Sequence, residues 1–428
     1  MINNNLNHQS THSKKPYILG RKNSKVEGLL YIGHFHALDT SLGSPVFMDI
    51  LHPHICLISG KRGYGKSYTL GVLIEEISKQ TPEIRRNLST ILIDTLGIFW
   101  TLAFPNTRQY DYLKQWNLDP KTFHITVFTT NIHDKPFLKS ENITLKHLLI
   151  KTSQLSPLHW CQLFDIKPTD SLGIIISKAI LELQHDNKNY TIDEVIKKIN
   201  SNDSWNLIQK TAVENLFSTA KSWDIFSEEG MDFKELLKQN TIHVIDLSEI
   251  DNDFLKSIIV SVIADSLFYL RVQARKTMEL NEMGLSKLKK YVPLIWLAID
   301  EAQLFIPKKK TSVCKTILKD KWMRQGRQPG LSLMLATQKP SLIDPEVFSH
   351  SDLIYCHRLT ADEDIQSLKR IHPTYMKDDI HHLIQKIGSD KGVALVIDDT
   401  KESVHLVKIR PRQSWHGGGN PSVLNLNI

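Results

Sequence analysis

A chain of 428 residues with 41% hydrophobic and 23% charged residues has the composition of a globular protein, with enough material for two or three domains or for one large domain carrying an insertion. Its net charge of +7, from 53 Lys+Arg against 46 Asp+Glu, is compatible with a polyanionic partner but does not establish one. No run of about 18 apolar residues offers a membrane span. The polar opening Met1-Ile2-Asn3-Asn4-Asn5 contains no apolar signal segment, and Cys56, Cys161, Cys314 and Cys356 are scattered without a disulfide or zinc pattern. A reducing cytoplasm is the expected location.

Residues 1–26 are rich in Asn, Ser, His and Lys and read as a flexible polar tail. In 27–52, the runs Gly28–Phe35 and Pro45–Ile50 flank the turn cluster Asp39–Ser44, giving a short β-rich segment. Next comes Ile55-Cys56-Leu57-Ile58-Ser59, a buried strand. It is followed by Gly60-Lys61-Arg62-Gly63-Tyr64-Gly65-Lys66-Ser67, the G-x-x-x-x-G-K-[ST] phosphate loop. Leu70, Leu73, Ile74 and Ile77 then recur at the spacing of an amphipathic helix. Strand, glycine loop and helix together make the motif a site. Gly60, Gly63 and Gly65 let backbone N–H groups turn toward an anion, and the helix points its positive end there. Lys66 is expected to reach the outer phosphates of ATP, Ser67 to hold Mg²⁺, and Tyr64 and Tyr68 to complete the nucleotide contacts.

Further apolar runs end in aspartate: Thr90–Asp94, Ile242–Asp246, Leu294–Asp300 and Val393–Asp398; Leu331–Thr337 adds another strand. Runs without alternation suit parallel strands buried on both faces, and ligands bind at the carboxyl ends of such strands. The expected fold is α/β, a mostly parallel doubly wound sheet. Residues 53–130 and 237–412 form the two parts of its core and 131–236 a helical insertion. Within the insertion Ser171–Leu183 reads as a buried helix, and Thr191-Ile192-Asp193-Glu194 as a capping box. A long helix is expected from Asp253 to Met278, an exposed connection over 279–291, and a tail over 413–428.

Of the four strand-end aspartates only Asp300 is followed by glutamate. Asp300 is assigned to Mg²⁺ and Glu301 to activation of the attacking water. Asp94, next to Gly97, is a secondary candidate for lining the nucleotide site, and Asp398 and Asp399 are expected in a solvated turn. Gln338, ending the strand Leu331–Thr337, is placed to sense the γ-phosphate.

With the phosphate loop, the segments Ile299–Pro307, Gln325–Leu331, Ala336–Pro340, Asp344–Phe348, His357–Thr360 and Lys408–Arg412 make the chain resemble HerA-type DNA translocases of the HerA/FtsK superfamily. The likeness spans about residues 50–412 and is most specific over 295–360. It implies a RecA-like core and a homo-hexameric ring with ATP between subunits and duplex DNA in a central channel. It also implies a nuclease or other effector as partner, in DNA-end processing or defence against phage. It further implies an arginine supplied by the neighbouring subunit, for which Arg327 and Arg358 stand at matching positions. The family's N-terminal β-barrel does not fit the short segment 27–52. Lys308, Lys309 and Lys310, with the basic residues after them, are the candidate contacts to DNA backbone, indifferent to sequence. A motor, a ring that scaffolds and regulates an effector, and a secretion or conjugation ATPase share these active-site residues.

Overall fold

The apolar runs become the centre of a thirteen-stranded sheet. In this computed structural model, residues 16–418 are described, apart from 38, 40, 133–134, 136–137, 187–188, 289–290, 370–382, 385–386 and 389. The strands are β1 (Tyr17–Leu19), β2 (Leu29–His36), β3 (Leu42–Asp49), β4 (Ile55–Ser59), β5 (Leu88–Asp94), β6 (Ile125–Thr129), β7 (Ile143–His147), the short pair β8 (Ile150–Lys151) and β9 (Phe226–Ser227), β10 (Ile242–Asp246), β11 (Leu294–Ile299), β12 (Leu331–Thr337), β13 (Leu353–Cys356), β14 (Val393–Asp398) and β15 (Ser403–Ile409). The sheet order is β1-β3-β2-β15-β14-β13-β4-β12-β11-β5-β10-β6-β7. From β13 to β7 every pairing is parallel. The remaining strands form a wing in which β13–β14, β14–β15, β15–β2 and β2–β3 pair antiparallel.

The central strands are apolar throughout because both faces are covered. Ile91 and Ile93 of β5 enter one buried cluster and Leu92 the other; Leu297 and Trp296 of β11 divide the same way. This is the period-two alternation of a strand with no solvent face. In the insertion, helices Pro157–Leu163, Ser171–His185, Ile192–Asn200 and Leu207–Lys221 gather around Trp160. Its ring lies 4.9 Å from Phe217 and 5.8 Å from Phe164. The Thr191 capping box forms as expected: Thr191 N–H donates to Glu194 at 2.9 Å and Glu194 N–H to Thr191 Oγ1 at 3.3 Å.

Five sequence expectations change. The polar tail does not extend to residue 26: β1 pairs with β3, Ile18 and Leu19 are buried, and Arg21 forms a buried ion pair with Asp49 at 3.0 Å. Residues 1–15 lie outside the described residues. Segment 27–52 is no separate unit, since β2 pairs with β15 and so joins the main sheet. The expected helical insertion opens with β7, the edge strand beside β6. Asp398 lies in no solvated turn. It is fully buried and accepts Gly20 N–H at 2.9 Å, and β14, antiparallel to β13, carries it to the amino edge of the parallel strands. The expected C-terminal tail begins with buried residues, Gln413 and Ser414; residues 419–428 lie outside the described residues.

Candidate nucleotide site

The loop between β4 and helix Lys66–Ser78 turns on its glycines. Gly63 and Gly65 have φ of 82° and 116°, a region that only glycine enters freely. Gly60 meets a different need, because a Cβ there would lie 2.6 Å from His357 Cβ. The loop rests on the residues that follow β13. His357 N–H donates to the Ser59 carbonyl at 2.8 Å, and Lys61 N–H to the Arg358 carbonyl at 2.9 Å. The His357 ring faces the Val393 carbonyl through Nδ1 at 2.9 Å and the Thr69 hydroxyl through Nε2 at 2.8 Å. A carbonyl only accepts, so Nδ1 carries the proton and Nε2 accepts from Thr69. Burial pushes this imidazole down to about 4, which keeps it neutral.

Lys66 opens the helix and is 4% exposed. Burial lowers its pKa, and the carboxylates of Glu301 and Asp300 work against that. The Ser67 hydroxyl donates to Asp300 Oδ2 at 3.1 Å. Asp300, fully buried just after β11, is raised to about 6 by burial and then by neighbouring Glu301. A hydroxyl and a carboxylate in contact beside a buried lysine are the hard oxygen donors that suit Mg²⁺. A cation there would keep Asp300 ionised.

Glu301 is buried and has a positive φ of 53°, a conformation that costs a non-glycine residue about 1–2 kcal/mol. Its Oε1 accepts from Gln338 Nε2, and its Oε2 accepts from Gln303 Nε2 at 2.6 Å. The fold thus gathers Gly60, Gly63, Tyr64, Gly65, Lys66, Ser67, Asp300, Glu301 and Gln338 at the carboxyl ends of β4, β11 and β12. The arrangement offers a phosphate cradle, metal donors and a carboxylate able to polarise water.

Residues 30–267, more than half of the chain, match the family described as Helicase HerA, central domain. The chain belongs to this HerA family. A probable helicase from Methanocaldococcus jannaschii is 21% identical over 273 residues, which are 59% of this chain and 49% of the relative. The DNA double-strand break repair helicase HerA of Pyrococcus furiosus is 24% identical over 189 residues, 40% of this chain and 33% of that protein. The chain therefore spans half or less of the length of these curated relatives. The solved structure of VirB4 of Thermoanaerobacter pseudethanolicus has a TM-score of 0.57 at 13% identity, covering 91% of this chain and 98% of that one, a likeness of fold. The α/β architecture is that of a HerA-type P-loop ATPase.

The other expected residues of this HerA-family chain are dispersed. Tyr68 is engaged by the C-terminal segment: its hydroxyl accepts Arg412 N–H at 2.6 Å, and its ring lies 5.2 Å from that of His416. Arg358 sits on its own loop, with its guanidinium 5.4 Å from the centre of the Tyr64 ring. Arg327 is exposed in the turn before β12, at the amino edge of the sheet. Asp94 does not line the pocket with a free carboxylate; it accepts from the N–H groups of Leu96, Gly97 and Phe99 at 3.2, 2.8 and 2.8 Å. Burial raises it to about 7.

Lys308, Lys309 and Lys310 are exposed. Four of the basic residues after them are neutralised within the chain: Lys315 by Asp344 at 2.8 Å, Lys319 and Arg324 by Glu346 at 3.1 and 2.6 Å, and Lys321 by Asp265. Sequence reasoning gave no role to His357, Gln303 or Thr337. For Gln303 the only signal was its position two residues after Glu301. For His357 it was an unusual imidazole between a strand and a candidate arginine.

Proposed function

We propose that the chain is an ATP-hydrolysing motor that moves duplex DNA, assembled as a homo-hexameric ring. Its partner is a nuclease or other effector in DNA-end processing or defence against phage. The observation that carries this reading is the single cluster of Lys66, Ser67, Asp300, Glu301 and Gln338 around the phosphate loop. Loop amides and Lys66 take the outer phosphates of ATP, while Ser67 and Asp300 hold Mg²⁺. The metal, when bound, neutralises charge on the phosphate oxygens. Glu301 takes the proton of the attacking water as general base, and Gln338 senses the γ-phosphate.

Arg327, exposed and distant from its own loop, suits stabilisation of the phosphate charge in a neighbour's site. Arg358, against Tyr64, acts within its own subunit. Exposed Lys308, Lys309 and Lys310 meet DNA backbone without regard to sequence. The relatives' names as helicases support the DNA substrate. Four free, buried cysteines suit the reducing cytoplasm. Among the described residues no helix is long and apolar enough to cross a membrane. A second reading, a ring that scaffolds and switches an effector, is favoured by the exposed Ile174, Leu181, Leu207 and Ile208 of the insertion.

The test is steady-state ATP turnover with and without linear duplex DNA at two salt concentrations, with Lys66→Ala and Glu301→Gln beside the wild type. Lys66→Ala should weaken nucleotide binding. Glu301→Gln should bind normally and hydrolyse about 10²–10⁴-fold more slowly. DNA stimulation that fades with salt supports the motor, and turnover indifferent to DNA supports the scaffold. Normal turnover in Glu301→Gln would remove the base assignment.

A further inference from the structure

Both oxygens of the Glu301 carboxylate are occupied, one by each of two amides. The two amides are held differently. The Gln303 carbonyl accepts from the Thr337 hydroxyl at 2.7 Å, and Thr337 Oγ1 in turn accepts Lys339 N–H at 3.2 Å. Thr337 is fully buried, the last residue of β12. This relay fixes which way the amide points. A carboxylate only accepts, so the Gln303 NH₂ must face Glu301, and its oxygen is left for a hydroxyl that donates. Gln338 lies one residue beyond the strand, half-buried. The charged groups around Glu301 are Asp300 on its own chain segment and Lys66 from the phosphate-loop helix. Neither occupies its two capped oxygens in the way the amides do.

We propose that Gln303 is the positioning residue of the catalytic glutamate. Aimed by Thr337, it keeps hold of Glu301 Oε2 throughout turnover. Gln338 is the exchangeable cap that releases Oε1 when it turns to the γ-phosphate. Holding one oxygen leaves the other a single direction in which to meet water, and it maintains the left-handed backbone at Glu301. The proposal rests on the ATPase reading of this site.

The substitution Gln303→Met keeps length and removes the donor. It should lower kcat by about 10–100-fold while leaving the Kd for a non-hydrolysable ATP analogue within about threefold, the signature of lost alignment with binding intact. Gln303→His restores an N–H donor and should recover part of the rate. Thr337→Val, which removes the aim together with the acceptor of Lys339 N–H, should fall in between. In a Glu301→Gln background Gln303→Met should cost nothing further, because the group it positions is gone.

Wild-type turnover in Gln303→Met overturns the proposal. So does an equal loss in both backgrounds, which marks a merely structural role. Thermal melts identify any variant that fails to fold, in which case Thr337→Val and Gln303→His carry the test. A wild type without ATPase activity, or an active Glu301→Gln, refutes the underlying reading instead. An active wild type with inactive Glu301→Gln and normal Gln303→Met refutes this inference alone.

Discussion

His357 sets the shape of the phosphate loop through one neutral ring. The His357 Cβ leaves room for the loop only where Gly60 lacks a Cβ of its own, the ring lies against Gly65, and the same ring ties helix to sheet through Thr69 and Val393. Replacing it by phenylalanine keeps a ring of similar bulk but strands a buried hydroxyl and a buried carbonyl. That should cost about 1–3 kcal/mol of stability. Because the loop lies on this ring, nucleotide affinity should fall as well, by about tenfold, or 1.4 kcal/mol. Thermal unfolding and a nucleotide titration of His357→Phe check both. Unchanged affinity in a destabilised variant would mean that the loop keeps its form without this support. Glu301, with its left-handed backbone, is the complementary case: strain concentrated where chemistry is expected and held there by neighbouring side chains.

Among the elements, helix Lys66–Ser78 was legible in part. Leu70, Leu73, Ile74 and Ile77 are buried as their spacing requires. Glu75 is equally buried, and no local pattern announces it. Its partners arrive more than 330 residues later, when the C-terminal segment brings Arg410 to 2.9 Å and Arg412 to 3.3 Å, both fully buried. Burial would raise the Glu75 pKa, and the two guanidiniums more than reverse this and hold it below the usual glutamate value. Glu75→Gln preserves shape but leaves buried Arg412 facing an amide and Arg410 with only Glu76, 2.8 Å away. It should destabilise the fold by about 3–5 kcal/mol, read as a lowered denaturation midpoint; a loss below about 1 kcal/mol would be that of a surface pair.

The strands divide in the same way. β5, β10, β11 and β12 were legible because burial on both faces writes an apolar run into the chain. Three-residue β1 was not, since its partner β3 and not its own polar neighbourhood makes it a strand. The direction of β14 was also hidden: strand sense belongs to topology, so Asp398 looked like the other strand-end aspartates and lies at the opposite edge. The Asp300–Glu301 pair could be read from adjacency alone, whereas the Thr337–Gln303 relay exists only once β11 and β12 are paired.

At the scale of the whole molecule, the antiparallel wing is joined to the ATPase sheet by charge as well as by strand pairing. At the amino edge of β4, His54 lies between Asp49 at the end of β3, 3.2 Å from Nε2, and Asp352 before β13. Asp49 also holds Arg21 at 3.0 Å and His52 at 2.6 Å. Burial alone would push His54 down; the hydrogen bonds and charges of Asp352 and Asp49 outweigh it and raise the ring to about 9. In the unfolded chain the value is about 6.5. The folded state therefore binds this proton more tightly, and its contribution is complete below pH 6.5 and is lost as the pH rises through 9. Other groups titrate over the same range, so the difference between wild type and His54→Gln isolates the effect. That gap should narrow by roughly 3 kcal/mol from pH 6.5 to 9.5, measured by urea denaturation at each pH. Parallel curves would mean that His54 is buried neutral and the wing is held by strand pairing alone. The cluster lies at the edge opposite the phosphate loop, so His54→Gln should leave nucleotide affinity at pH 7 unchanged. A loss there would show that the wing and the nucleotide site are coupled through the sheet.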